Sequence, residues 1–114
     1  MKWTLVRYRA KPAEADENQR LSAAVFDELQ AKAPAGLRYA VFRLPDDTFV
    51  HLASLEDGAT PLSALATFRA FSGGVRERCD EPPLAVQPII VGNYGMLAEW
   101  HLFPPHFVAT EWTQ

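Results

Sequence analysis

Two runs rich in β-branched and aromatic residues, 37–44 (LRYAVFRL) and 48–55 (TFVHLASL), flank Pro45-Asp46-Asp47. Such runs around a turn signal read as a β-hairpin. The length of the turn constrains everything that follows, because a one-residue slip in pairing moves every side chain to the opposite face. With a three-residue loop, Leu44 opposes Thr48. Ala40, Phe42, Leu44, Val50 and Leu52 then share one face, which is entirely apolar. Tyr39, Val41, Arg43, Phe49, His51 and Ala53 share the other. A loop of even length would mix Arg43 or His51 into the apolar set. The odd register is therefore the expected one, with the apolar set packed against helices.

The rest of the chain supplies those helices and two more strands. Residues 2–10 alternate, with Thr4, Val6, Tyr8 and Ala10 on one side and Trp3, Leu5, Arg7 and Arg9 on the other. That is the period of a strand with two unlike faces. Residues 13–33 read as a helix. Acidic Glu14, Asp16 and Glu17 occupy its first turns, where the helix dipole favours anions, and Leu21, Val25 and Leu29 form its apolar stripe. Residues 62–79 read as a second helix carrying Leu65, Phe68, Phe71 and Val75, weakened at Gly73-Gly74. Asp80-Glu81-Pro82-Pro83 ends that segment. Residues 84–92 read as a fourth strand, at an edge or bulged because of Pro88. The order β-α-β-β-α-β predicts an α+β fold of ferredoxin-like type, a four-stranded antiparallel sheet with both helices on one face. Residues 1–94 make up that domain. Residues 95–114 form an aromatic tail, with Trp100, Phe103, Phe107 and Trp112, expected to cover the sheet or a partner subunit.

Composition narrows the class. The net charge of −3 comes without a basic stripe, which argues against nucleic acid and anionic membranes. One cysteine, Cys79, leaves no intramolecular disulfide to form. No signal-peptide pattern opens the sequence and no apolar run has the length of a membrane span, so the expected location is the cytoplasm.

If Arg7 and Arg9 avoid the helices, the second face combines Trp3, Leu5, Arg7 and Arg9 with Tyr39, Arg43 and His51, and Gln87 joins from the fourth strand. Such a face is too apolar for plain solvent and too polar for a simple core. A lined cavity, closed by the tail or a second subunit, suits both properties. His51 is the candidate catalytic residue, since its ordinary pKa lies near neutrality. The structural alternative is a strand histidine bonded to a neighbour at a dimer interface. Arg7 and Arg43 are candidate anion clamps, with ion pairing as the structural alternative. Trp3 and Tyr39 are candidate stacking residues, or interface packing. Gln87 is a candidate partner for a ligand carbonyl.

Glu99, His101, His106 and Glu111 match no zinc-binding spacing, and Gly73-Gly74 lacks a phosphate-loop context. No metal and no cofactor are expected. Cys79 reads as a small apolar filler.

Several stretches together resemble the dimeric α+β barrel superfamily, in particular the antibiotic biosynthesis monooxygenase-like group. They are the opening VRYRAKP with its following acidic residues, the hairpin GLRYAVFRLPDDTFVH with its Leu-Glu-Asp loop, FRAF in the second helix, and VGNY. The resemblance covers about residues 2–94. It implies a homodimer whose sheets join, with a cavity on the face free of helices. It also implies membership of a group that includes cofactor-independent quinone-forming oxygenases, haem-degrading enzymes and isomerases. Three departures stand out. Leu55 stands where oxygenases of the group often carry Trp, residues 61–65 lack the histidine many of them place early in the second helix, and residues 6–8 lack the asparagine of the haem-degrading members. The resemblance therefore implies a fold and a cavity, and no catalytic residue.

Two functions follow as expectations. One is a small-molecule-binding homodimer acting as a cofactor-independent monooxygenase or isomerase on an aromatic or polyketide-like substrate, with His51 as base. The other is a non-catalytic ligand-binding or interaction domain whose cleft is covered by its own tail.

Overall fold

The computed structural model describes residues 1–97. Four strands and two helices occur in the order β1 (Lys2–Ala10), α1 (Ala15–Lys32), β2 (Leu37–Arg43), β3 (Thr48–Leu55), α2 (Ala66–Gly73) and β4 (Cys79–Val86). The strands form one antiparallel sheet in the order β2-β3-β1-β4. This is the ferredoxin-like arrangement. The tail read as 95–114 lies, from residue 98 onward, outside the described residues, and so do Glu99, His101, His106 and Glu111.

The hairpin takes the odd register. Phe42 pairs with Val50 and Arg43 with Phe49, and Leu44 N–H donates to the Thr48 carbonyl at 2.8 Å. The face assignment is the reverse of the one expected for β2 and β3. Val6 opposes His51 and Tyr8 opposes Phe49, so these residues share one face with Tyr39 and Val41. That is the helix-covered face. Its core is Tyr8, Ala10, Phe49, Val25 and Ala15 of α1, and Leu65 and Phe71 beside and within α2. The apolar set of Phe42, Leu44, Val50 and Leu52 lies on the face free of helices, with Leu5, Leu84 and Val86. Phe42 there is 54% exposed and Leu84 67%. The strand with arginines on one side, β1, is oriented as expected.

The buried stripe of α1 runs Ala15, Asn18, Ser22, Val25. It meets the stripe read from the sequence at Val25 and carries two polar residues. Leu21 and Leu29 are partly buried and pack against the core at its margin. Gly36 lets the chain leave α1. Its φ is +79°, and a Cβ there would stand 2.9 Å from the Ala59 Cβ.

The second helical segment is broken, where the spacing of its apolar residues predicts a continuous helix. A 3-10 turn at Leu62–Ala64 precedes α2, and another at Arg76–Arg78 follows it. Gly73 and Gly74 end the helix. Its first turn is capped from a distance. Glu28 of α1 accepts hydrogen bonds from the Thr67 amide at 3.0 Å and hydroxyl at 2.6 Å. The bond from Lys32, and then those from Thr67, hold the Glu28 carboxyl down at about 2.

The fourth strand starts five residues earlier than expected, at Cys79 where the sequence suggests residue 84. Pro82-Pro83 sits inside β4, close to two shifts of register against β1. Prolines are accommodated there because β4 is an edge strand and its bulged residues need no ladder N–H.

Candidate functional site

Between the sheet and α2 lies a cavity of about 350 Å³. Its wall is largely apolar, with Val6, Leu55, Leu62, Phe68, Phe71 and Val75 contributing. The polar groups that reach it from the sheet include Tyr8, Tyr39 and His51. The three come from three adjacent strands. Side chains on one face recur every second residue, and the register brings positions 8, 51 and 39 together across the sheet.

His51 is buried and bonded at both ring nitrogens. Nε2 is 2.7 Å from the Tyr8 hydroxyl and Nδ1 is 2.6 Å from the Tyr39 hydroxyl. Aromatic rings enclose it. Phe71 lies 5.2 Å away by ring centroids, and Tyr39 itself stacks on Phe26 at 5.1 Å. The chain of bonds continues inward. Asn18 Nδ2–H donates to the Tyr8 oxygen at 2.8 Å, and Arg78 Nε–H donates to Asn18 Oδ1 at 2.9 Å. The guanidinium also donates to the Phe71 carbonyl at 2.8 Å and lies over the Phe71 ring. Gly74 makes room for it, since a Cβ there would stand 3.0 Å from Arg78 Nη1.

Burial sets the protonation states. Desolvation pushes the His51 imidazolium down to about 4, so the ring is neutral at pH 7. Burial pushes the Tyr8 phenol up to about 12, partly offset by the bond from Asn18, and pushes Tyr39 above the ordinary phenol range. The site is therefore uncharged from His51 to Tyr39. A ring of such low proton affinity is a weak base toward an ordinary phenol, whose pKa is near 10. The gap corresponds to about 8 kcal/mol for unaided transfer. What the group offers at neutral pH is a fixed set of hydrogen bonds at the edge of a largely apolar cavity.

The structure brings together two of the six residues singled out in the sequence, His51 and Tyr39. The other four lie elsewhere. Trp3 and Arg7 are on the open face because β1 and β3 register Val6, not Arg7, against His51. Arg7 is exposed, 4.0 Å from Glu81. Arg43 lies on the helix side but at the hairpin end, outside the cavity wall. It donates to Asp47 Oδ1 at 2.7 Å, Asp16 Oδ1 at 3.0 Å and Gln19 Oε1 at 2.6 Å, which ties the hairpin to the start of α1. Gln87 follows the end of β4 and is exposed. The cavity itself lies on the helix-covered face, not on the face free of helices.

Tyr8, Asn18 and Arg78 are the network members that the sequence reading did not single out. A signal existed for two of them. Tyr8 is the one phenol among Thr4, Val6 and Ala10 on the inward side of β1, and a buried phenol needs a partner. Asn18 falls three and seven residues before Leu21 and Val25, on the buried stripe. Arg78 carried none, because its inward turn depends on the break at Gly74. Among the described residues no cluster of His, Cys, Asp and Glu is arranged to hold a metal ion. No helix among them is long and apolar enough to cross a membrane.

Comparison with known proteins places the fold. No protein-family model matches the chain, and no curated protein matches it. Solved structures do. An antibiotic biosynthesis monooxygenase superimposes with a TM-score of 0.63 at 14% identity, covering 80% of this chain and 99% of that one. A conserved protein from Methanosarcina mazei gives 0.57 at 16% identity, over 75% and 90% of the two chains. A dimeric ferredoxin-like protein of unknown function from Jannaschia sp. gives 0.51 at 15% identity, over 77% and 97%. The chain thus has the ferredoxin-like fold of the antibiotic biosynthesis monooxygenase-like structures.

Proposed function

We propose that this chain is a small-molecule-binding homodimer that acts as a cofactor-independent, monooxygenase-like enzyme on an aromatic or polyketide-like substrate. The observation that carries the reading is the cavity of about 350 Å³ with a hydrogen-bonded polar group, Tyr39–His51–Tyr8, facing a largely apolar wall. A flat apolar molecule with an oxygen function at one edge has the matching chemistry. His51 is the proposed catalytic residue. With both ring nitrogens bonded, it acts through the Tyr39 hydroxyl, which holds the substrate oxygen while charge develops there, and the apolar wall keeps water from competing for that bond. A substrate acidic enough to enter as its phenolate or enolate, its proton left to solvent and not to His51, is a species that dioxygen can oxidise without a cofactor. The fold likeness to an antibiotic biosynthesis monooxygenase supports the reaction class.

The homodimer reading rests on the open face. Leu5, Phe42, Val50, Leu52, Leu84 and Val86 form an apolar surface on the side of the sheet without helices. Its exposure in the single chain is what a covering subunit would relieve. A cytoplasmic location, and a tail that covers the domain or its partner, belong to the same reading.

The test is a thermal-shift and oxygen-uptake survey of the full chain with 1-naphthol, naphthohydroquinone and 1-tetralone. A ligand at about one hundred times its dissociation constant adds about 2.7 kcal/mol, several degrees in Tm. The expected result is a stabilising compound whose effect is lost in Tyr39→Phe and retained in Arg7→Ala, with oxygen uptake for the oxidisable members. Loss in Arg7→Ala alone would move the site to the open face. Binding without uptake of oxygen in any case would favour the non-catalytic ligand-binding domain.

A further inference from the structure

The hydrogen bonds around His51 form a chain whose direction is set at its buried end. Arg78 can only donate. Its Nε–H therefore requires the oxygen of the Asn18 amide, and the amide nitrogen must face Tyr8, as it does at 2.8 Å. Asn18 is 0% exposed and Arg78 7%, so water does not relax this choice. The Tyr8 oxygen thus receives an N–H from Asn18, and its own proton needs an acceptor. The buried hydroxyl of Ser22, one turn along α1 from Asn18, stands near enough to Tyr8 to draw its pKa down, but it has no partner in hydrogen-bonding geometry and is the poorer acceptor for that proton. The acceptor left for it is His51 Nε2, at 2.7 Å. A neutral imidazole that accepts at Nε2 carries its proton on Nδ1 and donates to the Tyr39 oxygen, 2.6 Å away. The Tyr39 proton then finds no acceptor within the network, and Tyr39 lines the cavity.

We propose that Asn18 and Arg78 are positioning residues that lock His51 as its Nδ1–H tautomer, so that the cavity presents the Tyr39 hydroxyl as a donor and selects ligands bearing an acceptor oxygen, a ketone, quinone or phenolate, over neutral alcohols and phenols. The selection rests on the functional reading above, whereas the tautomer is a property of the unliganded protein. Asn18 is the switch in this scheme. In Asn18→Asp the isosteric carboxylate accepts from both Arg78 and Tyr8. The Tyr8 proton then turns away from the imidazole, Nε2 becomes the protonated nitrogen, and Tyr39 must donate to Nδ1. Its outward-facing group is then an acceptor lone pair.

The experiment is 15N NMR of the imidazole rings in full-length protein at pH 7, with His51 assigned by its absence in His51→Gln. Titration with 1-tetralone, an acceptor only, and 1-naphthol, a donor of similar shape, follows. The wild type is expected to show a protonated Nδ1 and to bind tetralone more tightly than naphthol. Asn18→Asp is expected to show a protonated Nε2 and to shift the ratio of the two dissociation constants about tenfold toward naphthol. A wild type protonated at Nε2 overturns the proposal, and that spectrum needs no variant to fold. An Asn18→Asp protein that keeps the wild-type tautomer overturns the role of Asn18. A wild type with protonated Nδ1 that binds neither compound supports the wiring and removes the ligand reading on which the selection rests.

Discussion

The sheet's two faces carry opposite chemistry in places where simple patterning would exchange them. The face that bears Tyr8, Tyr39 and His51 is buried under helices, although it carries the polar network. The face that bears Phe42, Leu84 and Val86 is open, although it is largely apolar apart from Arg7, Arg9 and Arg38. Polarity on the closed face costs little because each group in the network meets another, from Arg78 through Asn18 and Tyr8 to His51 and Tyr39. Apolarity on the open face has no such resolution among the described residues. The closed face therefore reports on the stability of the single subunit, and the open face on association. Variants on each should separate the two.

The largest effect expected is on the closed face. Arg78→Ala leaves Asn18 Oδ1 and the Phe71 carbonyl without donors and opens space beside Phe71. It should destabilise the fold by about 3 kcal/mol, or roughly 15 °C in Tm. A loss under about 1 kcal/mol in urea unfolding would mean that the buried end of the network is loosely held.

The acid limb of stability comes next. The His51 pKa falls from an ordinary 6.5 to about 4 in the folded chain. The unfolded state binds the proton more readily, so this stability is fully present above pH 6.5 and is lost as pH falls toward 4. The change should reach about 3 kcal/mol at the acid end. Urea unfolding of wild type and His51→Gln across that window checks it. The two curves should converge as the pH falls, and parallel curves would show that burial does not govern this ring.

On the open face, Phe42→Asp should raise the dissociation constant of the proposed homodimer about a hundredfold while leaving the unfolding slope of the monomer unchanged. Sedimentation velocity reads the first and urea titration the second. A variant that unfolds instead of dissociating would erase the distinction between the faces. The smallest effect is that of Tyr39→Phe, which strips the His51 Nδ1 bond at the cavity edge. It should cost about 1 kcal/mol in stability, and it should abolish ligand-induced thermal shifts.

The elements were legible because their periods are strong. Alternation marks β1, β2 and β3 within one residue of their ends, and the turn Pro45-Asp46-Asp47 fixes the hairpin register. Residues with special backbone roles were harder to read. Pro82-Pro83 looks like a terminator, because a proline breaks a central ladder, yet β4 is an edge and bulges around it. Leu65, Phe68, Phe71 and Val75 do face inward, but the helix they suggest stops at Gly74, where the guanidinium of Arg78 needs the space of a missing Cβ.

His51 and Tyr39 were legible as partners because two residues on paired strands share a face whenever the register is known. The premise that charge avoids the core and apolar residues fill it groups Trp3, Arg7 and Gln87 with them. That premise orients β1 correctly, since Arg7 and Arg9 face outward, and inverts β2 and β3. The sequence by itself determined the order of elements, the hairpin register and the identity of the residues on each face. Only the tertiary structure decided which face the helices cover. Hydrophobic burial has no direction, so an apolar face fits a subunit interface as well as a core. Directional hydrogen bonds among Tyr8, His51, Asn18 and Arg78, residues far apart along the chain and adjacent in space, make the polar face the inner one.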